Sequence, residues 1–250
     1  MSPEESEQST TKSNPPDHER ASIASNDEHI FVQIPKLISE HEQFGKIPGS
    51  TALFISQGHM WSMLAHIPVE TALRVNINEN QLAADKEWET VIQSAKNIDE
   101  ILAIAEKQGQ KAALEKEMRS LGHFHYLYSD ENLRKTQEAM NSTEIRYVQG
   151  DLTDSNFLRA QAAALVEKGE RVIFADMTNV MDWILRLQPD RGPTQTQADL
   201  TLLPFHEKCN FLYSVTPPGH RMGRSPRRNG VVSGLQNYVS YSTQKRTPIN

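Results

Sequence analysis

Four short apolar runs, each ending abruptly in polar residues, constrain the fold of this chain more than any other feature. They occupy 51–55, 71–75, 145–148 and 171–175. Runs of this length are typical of strands buried on both faces of a parallel sheet, and the carboxyl ends of such strands meet at one edge. The pattern therefore predicts a doubly wound, mostly parallel α/β sheet whose carboxyl ends surround one pocket.

Composition limits the class of protein. A chain of 250 residues can bury a sizeable core in one large domain, and the apolar fraction of 37% indicates that part of it is not packed. The net charge of -6 opposes non-specific binding of nucleic acid. One cysteine, Cys209, excludes an internal disulfide framework and indicates a reducing compartment.

The sequence also bears on location. No apolar run reaches the roughly 20 residues that cross a bilayer. The N-terminus is acidic and polar, unlike a secretory signal. We expect a cytoplasmic protein without a membrane partner, unless it is secreted by a route that needs no N-terminal signal.

Three regions follow from the distribution of apolar residues. Residues 1–28 contain almost no large apolar side chains, which predicts a disordered polar tail. Residues 29–218 are interpreted as the α/β domain, with a helical insertion at 81–121 after the second strand. Residues 219–250 are rich in arginine and lysine, which predicts a basic, flexible extension. The two tails are candidate contacts for a protein partner.

Finer features follow from local patterns. Apolar residues recur at three- and four-residue steps from Trp88 to Ala105, which predicts one continuous helical stripe. Residues 125–128 resemble a short extended piece, and 211–215 resemble a further strand. Helices are expected after Ser129-Asp130 and after Thr153 or Asp154, where N-cap side chains occur.

The turn after the first strand is the first candidate for ligand binding. Ser56, Gln57, Gly58 and His59 occupy the place where a nucleotide-binding fold carries its glycine-rich loop, next to helix N–H groups that can meet an anion. Only one glycine is present, so the G-x-G-x-x-G and P-loop patterns are absent. An ordinary strand-to-helix turn explains the same residues equally well.

The second and third strands end in further candidates. An acid after the second strand commonly accepts hydrogen bonds from ribose hydroxyls, and here Asn76, Asn78 and Glu79 occupy that region. A solvated loop is the alternative. After the third strand, Asp151 could face the amine of an adenine ring while Leu152 packs on the ring, although helix capping also explains Asp151.

The fourth strand is followed by Asp176, Thr178 and Asn179, placed where polar side chains can reach a reacting group. We predict no metal site, because His123 with His125 and His206 with Cys209 supply only two ligands each. The nucleophile elbow G-x-S-x-G and the zinc motif H-E-x-x-H are absent, so hydrolase chemistry is not indicated.

These segments together resemble a class I S-adenosylmethionine-dependent methyltransferase, which has a Rossmann-like fold. More narrowly, they resemble an uncharacterised bacterial group with that fold. The resemblance spans about 51–215 and is carried by Thr178-Asn179-Val180 with Trp183 and by the segments 128–132, 148–151 and 203–214. It implies S-adenosylmethionine as cofactor, over 56–59, 76–79, 150–152 and Asp176. The single glycine of the first loop and Asn76 in place of an acid depart from the family's pattern.

The leading interpretation is a methyltransferase acting on an unidentified acceptor. Asp176 is the candidate base, Thr178 or Asn179 would position the acceptor, and the helical insertion would cover the pocket. His206 is a more distant candidate. One alternative is a non-catalytic interaction protein of the same fold, for example a secreted bacterial effector. A nicotinamide-dependent enzyme is the third interpretation, and the missing glycine pattern disfavours it.

Overall fold

The structure is a computed structural model that describes residues 21–24, 34–42, 47–55, 59–178, 180, 199–215, 228–235 and 238. Within these ranges six strands form one sheet: β1 (Ser50–Phe54), β2 (Thr71–Asn76), β3 (Glu144–Gln149), β4 (Arg171–Thr178), β5 (Phe205–Val215) and β6 (Arg228–Ser233). Their order is β3-β2-β1-β4-β5-β6. Neighbouring strands from β3 to β5 are parallel, and β6 is antiparallel to β5. The predicted doubly wound, mostly parallel α/β class is confirmed.

The helices flank this sheet. Their bounds are α1 (Ile34–Glu42), α2 (His59–Leu64), α3 (Glu79–Ser94), α4 (Ile98–Lys107), α5 (Lys111–Leu121), α6 (Asp130–Ser142) and α7 (Ser155–Glu167), with a 3-10 helix at Gly122–Phe124. Four of them, α3 to α6, lie between β2 and β3. The predicted helical insertion after the second strand is therefore present.

The sheet separates two apolar layers, because successive side chains of a strand point to opposite faces. On one face Phe54 and Phe174 pack in a cluster that contains Trp88 of α3 and Leu114 of α5. On the other face residues such as Leu53 belong to a cluster with α7. Burial on both faces explains why β1, β2 and β4 are apolar runs in the sequence. The edge strand β3 is only partly buried, so the same prediction was wrong for 145–148.

Two predicted helix starts are confirmed. The Ser129 hydroxyl accepts a hydrogen bond from the Asn132 backbone N–H (3.2 Å) and caps α6. The Asp154 carboxylate accepts one from the Asn156 N–H (2.8 Å) and caps α7. After α7, Gly169 has a φ of 69°, a backbone conformation that favours glycine at the end of a helix.

Three local predictions are wrong. The single stripe is divided, because α3 ends at Ser94 and α4 begins at Ile98. Residues 125–128 form turns rather than an extended piece. The Asn132 side chain holds them, donating to the backbone oxygens of His123 (2.8 Å) and His125 (2.9 Å). Finally, β5 begins at Phe205 rather than at 211, and a register shift against β4 accommodates its first half.

Part of the range predicted as an N-terminal tail is packed. In residues 21–24, Ile23 and Ala24 are 4% and 3% exposed. The other residues of 1–28, and most of 219–250, lie outside the described residues. In the described part of the chain, the helices are too short or too polar to span a membrane.

Candidate functional site

The order of the strands reverses between β1 and β4, since β2 and β3 follow on one side of β1 while β5 lies beyond β4. In open α/β sheets, ligands bind outside the carboxyl ends of the strands at such a reversal. The register places Phe54 of β1 beside Arg74 of β2 and beside Asp176 of β4. Residues from three strands thus form one row near the carboxyl edge.

Asp176 and His59 form a buried pair in this row. His59 begins α2 and Asp176 lies near the end of β4, and the distance from His59 Nδ1 to Asp176 Oδ2 is 3.3 Å. Both side chains are fully buried. The other carboxylate oxygen, Asp176 Oδ1, accepts a hydrogen bond from the Thr178 N–H (3.2 Å). Two residues predicted from separate segments are therefore brought together.

Thr178 contributes a buried hydroxyl beside this pair. The residue is 3% exposed, and within the described ranges its Oγ1 has no hydrogen-bond partner. Leaving such a group unpaired costs free energy, so a polar partner is expected there. Asn179, the third residue predicted after this strand, lies outside the described residues.

The residues after β2 use their side chains to shape the backbone. Asn76 Oδ1 accepts a hydrogen bond from the Asn78 N–H (2.8 Å), and Asn78 Oδ1 accepts one from the Asn80 N–H (3.0 Å), which caps α3. The Asn76 amide group still carries two N–H donors. Glu79 is exposed in the first turn of α3.

The loop after β3 lies next to that after β2, because the Gly150 N–H donates to the Asn76 carbonyl (3.1 Å). Asp151 Oδ1 accepts a hydrogen bond from the Thr153 N–H (2.7 Å), which leaves the second carboxylate oxygen outside that bond. Leu152 is only 8% exposed and packs in the core that contains α7. The loops that carry Asn76 and Asp151 are adjacent, as predicted, whereas Leu152 serves the core.

The first predicted loop is described only in part. Ser56, Gln57 and Gly58 lie outside the described residues, and His59 is the one member of that group whose contacts are known. His59 lies beside Asp176.

Sequence reasoning missed Arg74, which is 1% exposed inside β2. Its Nε donates to Asp85 Oδ2 (2.7 Å), and its Nη1 donates to the backbone oxygens of Ile55 (2.6 Å) and Val75 (3.1 Å). In the described part of the chain its Nη2 has no hydrogen-bond partner. The signal was present in the sequence, since a single arginine interrupts the apolar run at 71–75.

A second buried polar pair lies behind His59. The pKa of His125 is lowered to about 3. Burial is the main cause, and repulsion by the nearby His59 is the second. His125 Nε2 is 4.0 Å from Glu117 Oε1, and the Glu117 side chain is also fully buried. The Nδ1 of His125 accepts a hydrogen bond from the Leu127 N–H (3.0 Å). The sequence indicated His125 only as half of a weak metal pair.

His123 with His125 and His206 with Cys209 gain no further ligands, because the described ranges contain no group of three or more histidine, cysteine, aspartate or glutamate side chains arranged to hold a metal ion. His206 Nδ1 accepts a hydrogen bond from the Lys208 N–H (3.2 Å). Burial raises the pKa of the Cys209 thiol, which favours the neutral form over a nucleophilic thiolate.

The fold and this edge define a Rossmann-like α/β protein with polar side chains at its strand reversal. No protein-family model matches the chain. None of the curated proteins matches it.

The chain is similar to two solved structures of the rRNA methyltransferase aviRa from Streptomyces viridochromogenes. One shares 11% identity over 79% of this chain and 84% of that chain, with a TM-score of 0.39. The other shares 12% identity over 83% of this chain and 86% of that chain, with a TM-score of 0.40. Similarity at this level does not identify an activity.

Proposed function

We propose that this chain binds S-adenosylmethionine at the carboxyl edge of β1 to β4 and transfers the methyl group to an acceptor. The supporting observation is the asymmetry of the sheet. Strands β1 to β3 form a parallel half of the kind that binds one nucleotide in doubly wound folds, whereas the second half ends in the antiparallel β6. Dinucleotide folds use two parallel halves, so one adenosyl group suits this sheet better than NAD.

The residues present fit such a ligand. Asn76 keeps amide N–H donors that suit ribose oxygens, and Asp151 keeps a carboxylate oxygen that suits the adenine amine. The buried Thr178 Oγ1, which has no partner within the described ranges, suits a polar atom of the acceptor. These are the groups expected to bind the cofactor and to orient the acceptor.

When bound, S-adenosylmethionine supplies an activated methyl group on a positive sulfonium. The protein's part is to align the acceptor and to exclude water. Asp176 and His59, 3.3 Å apart, are the candidate pair for taking a proton from the acceptor, and Asp176 also fixes the backbone at Thr178. Their full burial suits a site from which water is excluded.

Calorimetry and thermal denaturation with S-adenosylmethionine test the proposal. We expect heat of binding and a raised melting temperature for the wild type, and about tenfold weaker binding for Asp151→Ala, because a hydrogen bond to a charged group is lost. Asp154→Ala is the matched control, since Asp154 makes the same kind of local hydrogen bond at the start of α7 but is exposed.

The control should bind like the wild type. Absence of heat and of stabilisation at millimolar ligand would contradict the proposed function and would favour a non-catalytic protein of the same fold. A parallel titration with NAD distinguishes the nicotinamide alternative.

A further inference from the structure

Arg74 is unusual because its guanidinium is buried within a central strand of the sheet. Removing this charge from water is costly, and an apolar side chain of similar volume often serves stability as well or better. The hydrogen bonds that Arg74 makes therefore indicate what the residue is for.

Those hydrogen bonds join the ends of two strands. Ile55 directly follows β1, and Val75 is the penultimate residue of β2; both give their backbone oxygens to Arg74 Nη1. Ladder hydrogen bonding stops where strands end, so carbonyl groups there need another donor. Arg74 supplies it at the two places where the chain enters the proposed cofactor site.

A residue of helix α3 holds the Arg74 side chain in place. Its Nε donates to Asp85 Oδ2 (2.7 Å), and Asp85 Oδ1 accepts a hydrogen bond from Gln81 Nε2 (2.8 Å). Both partners are on α3 and are buried, Gln81 at 1% and Asp85 at 6% exposure. One carboxylate thus connects the arginine to the glutamine.

Gln81 in turn holds the N-terminal segment. Its Oε1 accepts a hydrogen bond from the Ser22 N–H (3.0 Å), and its Nε2 donates to the Ser22 carbonyl (2.9 Å). Gln110 makes two similar bonds, from the Ile23 N–H (2.8 Å) and to the Ala21 carbonyl (3.2 Å). Both glutamines contact the backbone of the segment, and the side chain of Ile23 within it is buried.

We propose that Arg74 is a positioning residue of the cofactor site and that docking of residues 21–24 on Gln81 orients it through Asp85. The segment acts as a strap: when it is docked, Gln81 is fixed, Asp85 is aligned and Arg74 holds the ends of β1 and β2. The expected effect on ligand binding rests on the proposed function. The expected effect on amide hydrogen exchange in β1 does not rest on it.

Two glutamine variants separate this path from simple packing. Gln81→Met removes two hydrogen bonds to the segment and the bond to Asp85, whereas Gln110→Met removes two bonds to the segment only. We expect amide hydrogen exchange at 50–55 and 59–64 to be about tenfold faster in Gln81→Met, and to rise by a smaller factor in Gln110→Met, which loosens the segment but keeps the Gln81 bond to Asp85. Exchange at the wild-type rate in Gln81→Met would overturn the proposal.

Removal of residues 1–24 should change exchange in the same direction as Gln81→Met, because Gln81 then loses both bonds to Ser22. Exchange at the wild-type rate in that shortened chain would also contradict the strap.

Ligand binding gives the second readout. We expect the Kd for S-adenosylmethionine to rise about tenfold in Gln81→Met and Arg74→Met, and less in Arg74→Lys, which keeps a charged donor. If Arg74→Met does not fold, the Kd of Gln81→Met for S-adenosylmethionine tests the proposal. If the wild type binds no S-adenosylmethionine, the proposed function fails while the exchange experiment still tests the strap.

Discussion

At the scale of single residues, burial holds His125 neutral. The pKa of His125 in the folded protein is about 3, below the ordinary histidine value of 6.5. As the pH falls from 6.5 towards 3, the unfolded chain binds a proton that the folded chain does not, so stability falls over this window. The expected loss from this residue is on the order of 1 to 2 kcal/mol between pH 6.5 and pH 5, measured by urea denaturation.

The variant His125→Asn retains an acceptor for the Leu127 N–H but does not titrate in this range, so its stability should depend less on pH. His206→Asn is the matched control, because His206 makes the same type of bond to a backbone N–H two residues later but is only partly buried. An unchanged pH slope in His125→Asn would contradict the prediction.

Gly150 and Phe157 fit together at the end of β3. A Cβ atom added at Gly150 would lie 2.0 Å from a ring carbon of Phe157, so Gly150→Ala must displace the ring. We expect a loss of about 1 to 3 kcal/mol in the free energy of unfolding. In a Phe157→Leu background the same glycine change should cost clearly less. Equal costs in the two backgrounds would contradict this packing.

The sequence predicts part of the candidate site because strand ends are easy to locate. Asp176 and His59 come from segments more than a hundred residues apart, yet Asp176 lies near the end of β4 and His59 begins α2, and the structure pairs them. Arg74 was missed because its apolar neighbours predict a buried strand and the partner Asp85 is on a helix. A charge inside an apolar run indicates a partner, but it does not identify which one.

At the scale of elements, strands buried on both faces were predicted and element boundaries were less well predicted. The first half of β5 contains the polar residues His206, Glu207 and Lys208. This half is therefore not an apolar run, and the sequence pattern does not indicate a strand there. The stripe across α3 and α4 conceals a helix boundary, because both helices bury apolar residues in the same core. The boundary signal was Asn97, a good N-cap residue.

Asn97 therefore carries a prediction about helix α4. Its Oδ1 accepts a hydrogen bond from the Glu100 N–H (3.0 Å), and Glu100 Oε2 accepts one from the Lys96 N–H (2.8 Å). Asn97→Ala should lower the free energy of unfolding by about 1 kcal/mol, whereas Asn97→Ser should cost much less. Chemical denaturation measures both, and an equal cost for serine and alanine would contradict the capping role.

At the scale of the whole molecule, the two edges of the sheet differ in chemistry. The carboxyl edge carries Asp176, Thr178 and the other candidate ligands. The amino edge carries an ion-pair network in which Arg146 donates to Glu170 Oε2 (2.7 Å) and to Glu144 Oε1 (2.8 Å). Thr71 at the start of β2 also donates to Glu170. This division predicts that stability and ligand binding can be changed separately.

Arg146→Met tests the division. The substitution leaves the 8%-exposed Glu170 without its arginine, so we expect a loss of about 2 kcal/mol in the free energy of unfolding, partly restored by adding Glu170→Gln. The affinity for S-adenosylmethionine should stay within about twofold of the wild type, because the network lies at the opposite edge from the proposed site. Arg134→Met is the control, since the Arg134 pair with Glu138 is exposed and should contribute less than about 0.5 kcal/mol. If Arg146→Met weakened ligand binding as strongly as Asp151→Ala while the folded fraction stayed high, the two edges would be coupled and the division would be wrong.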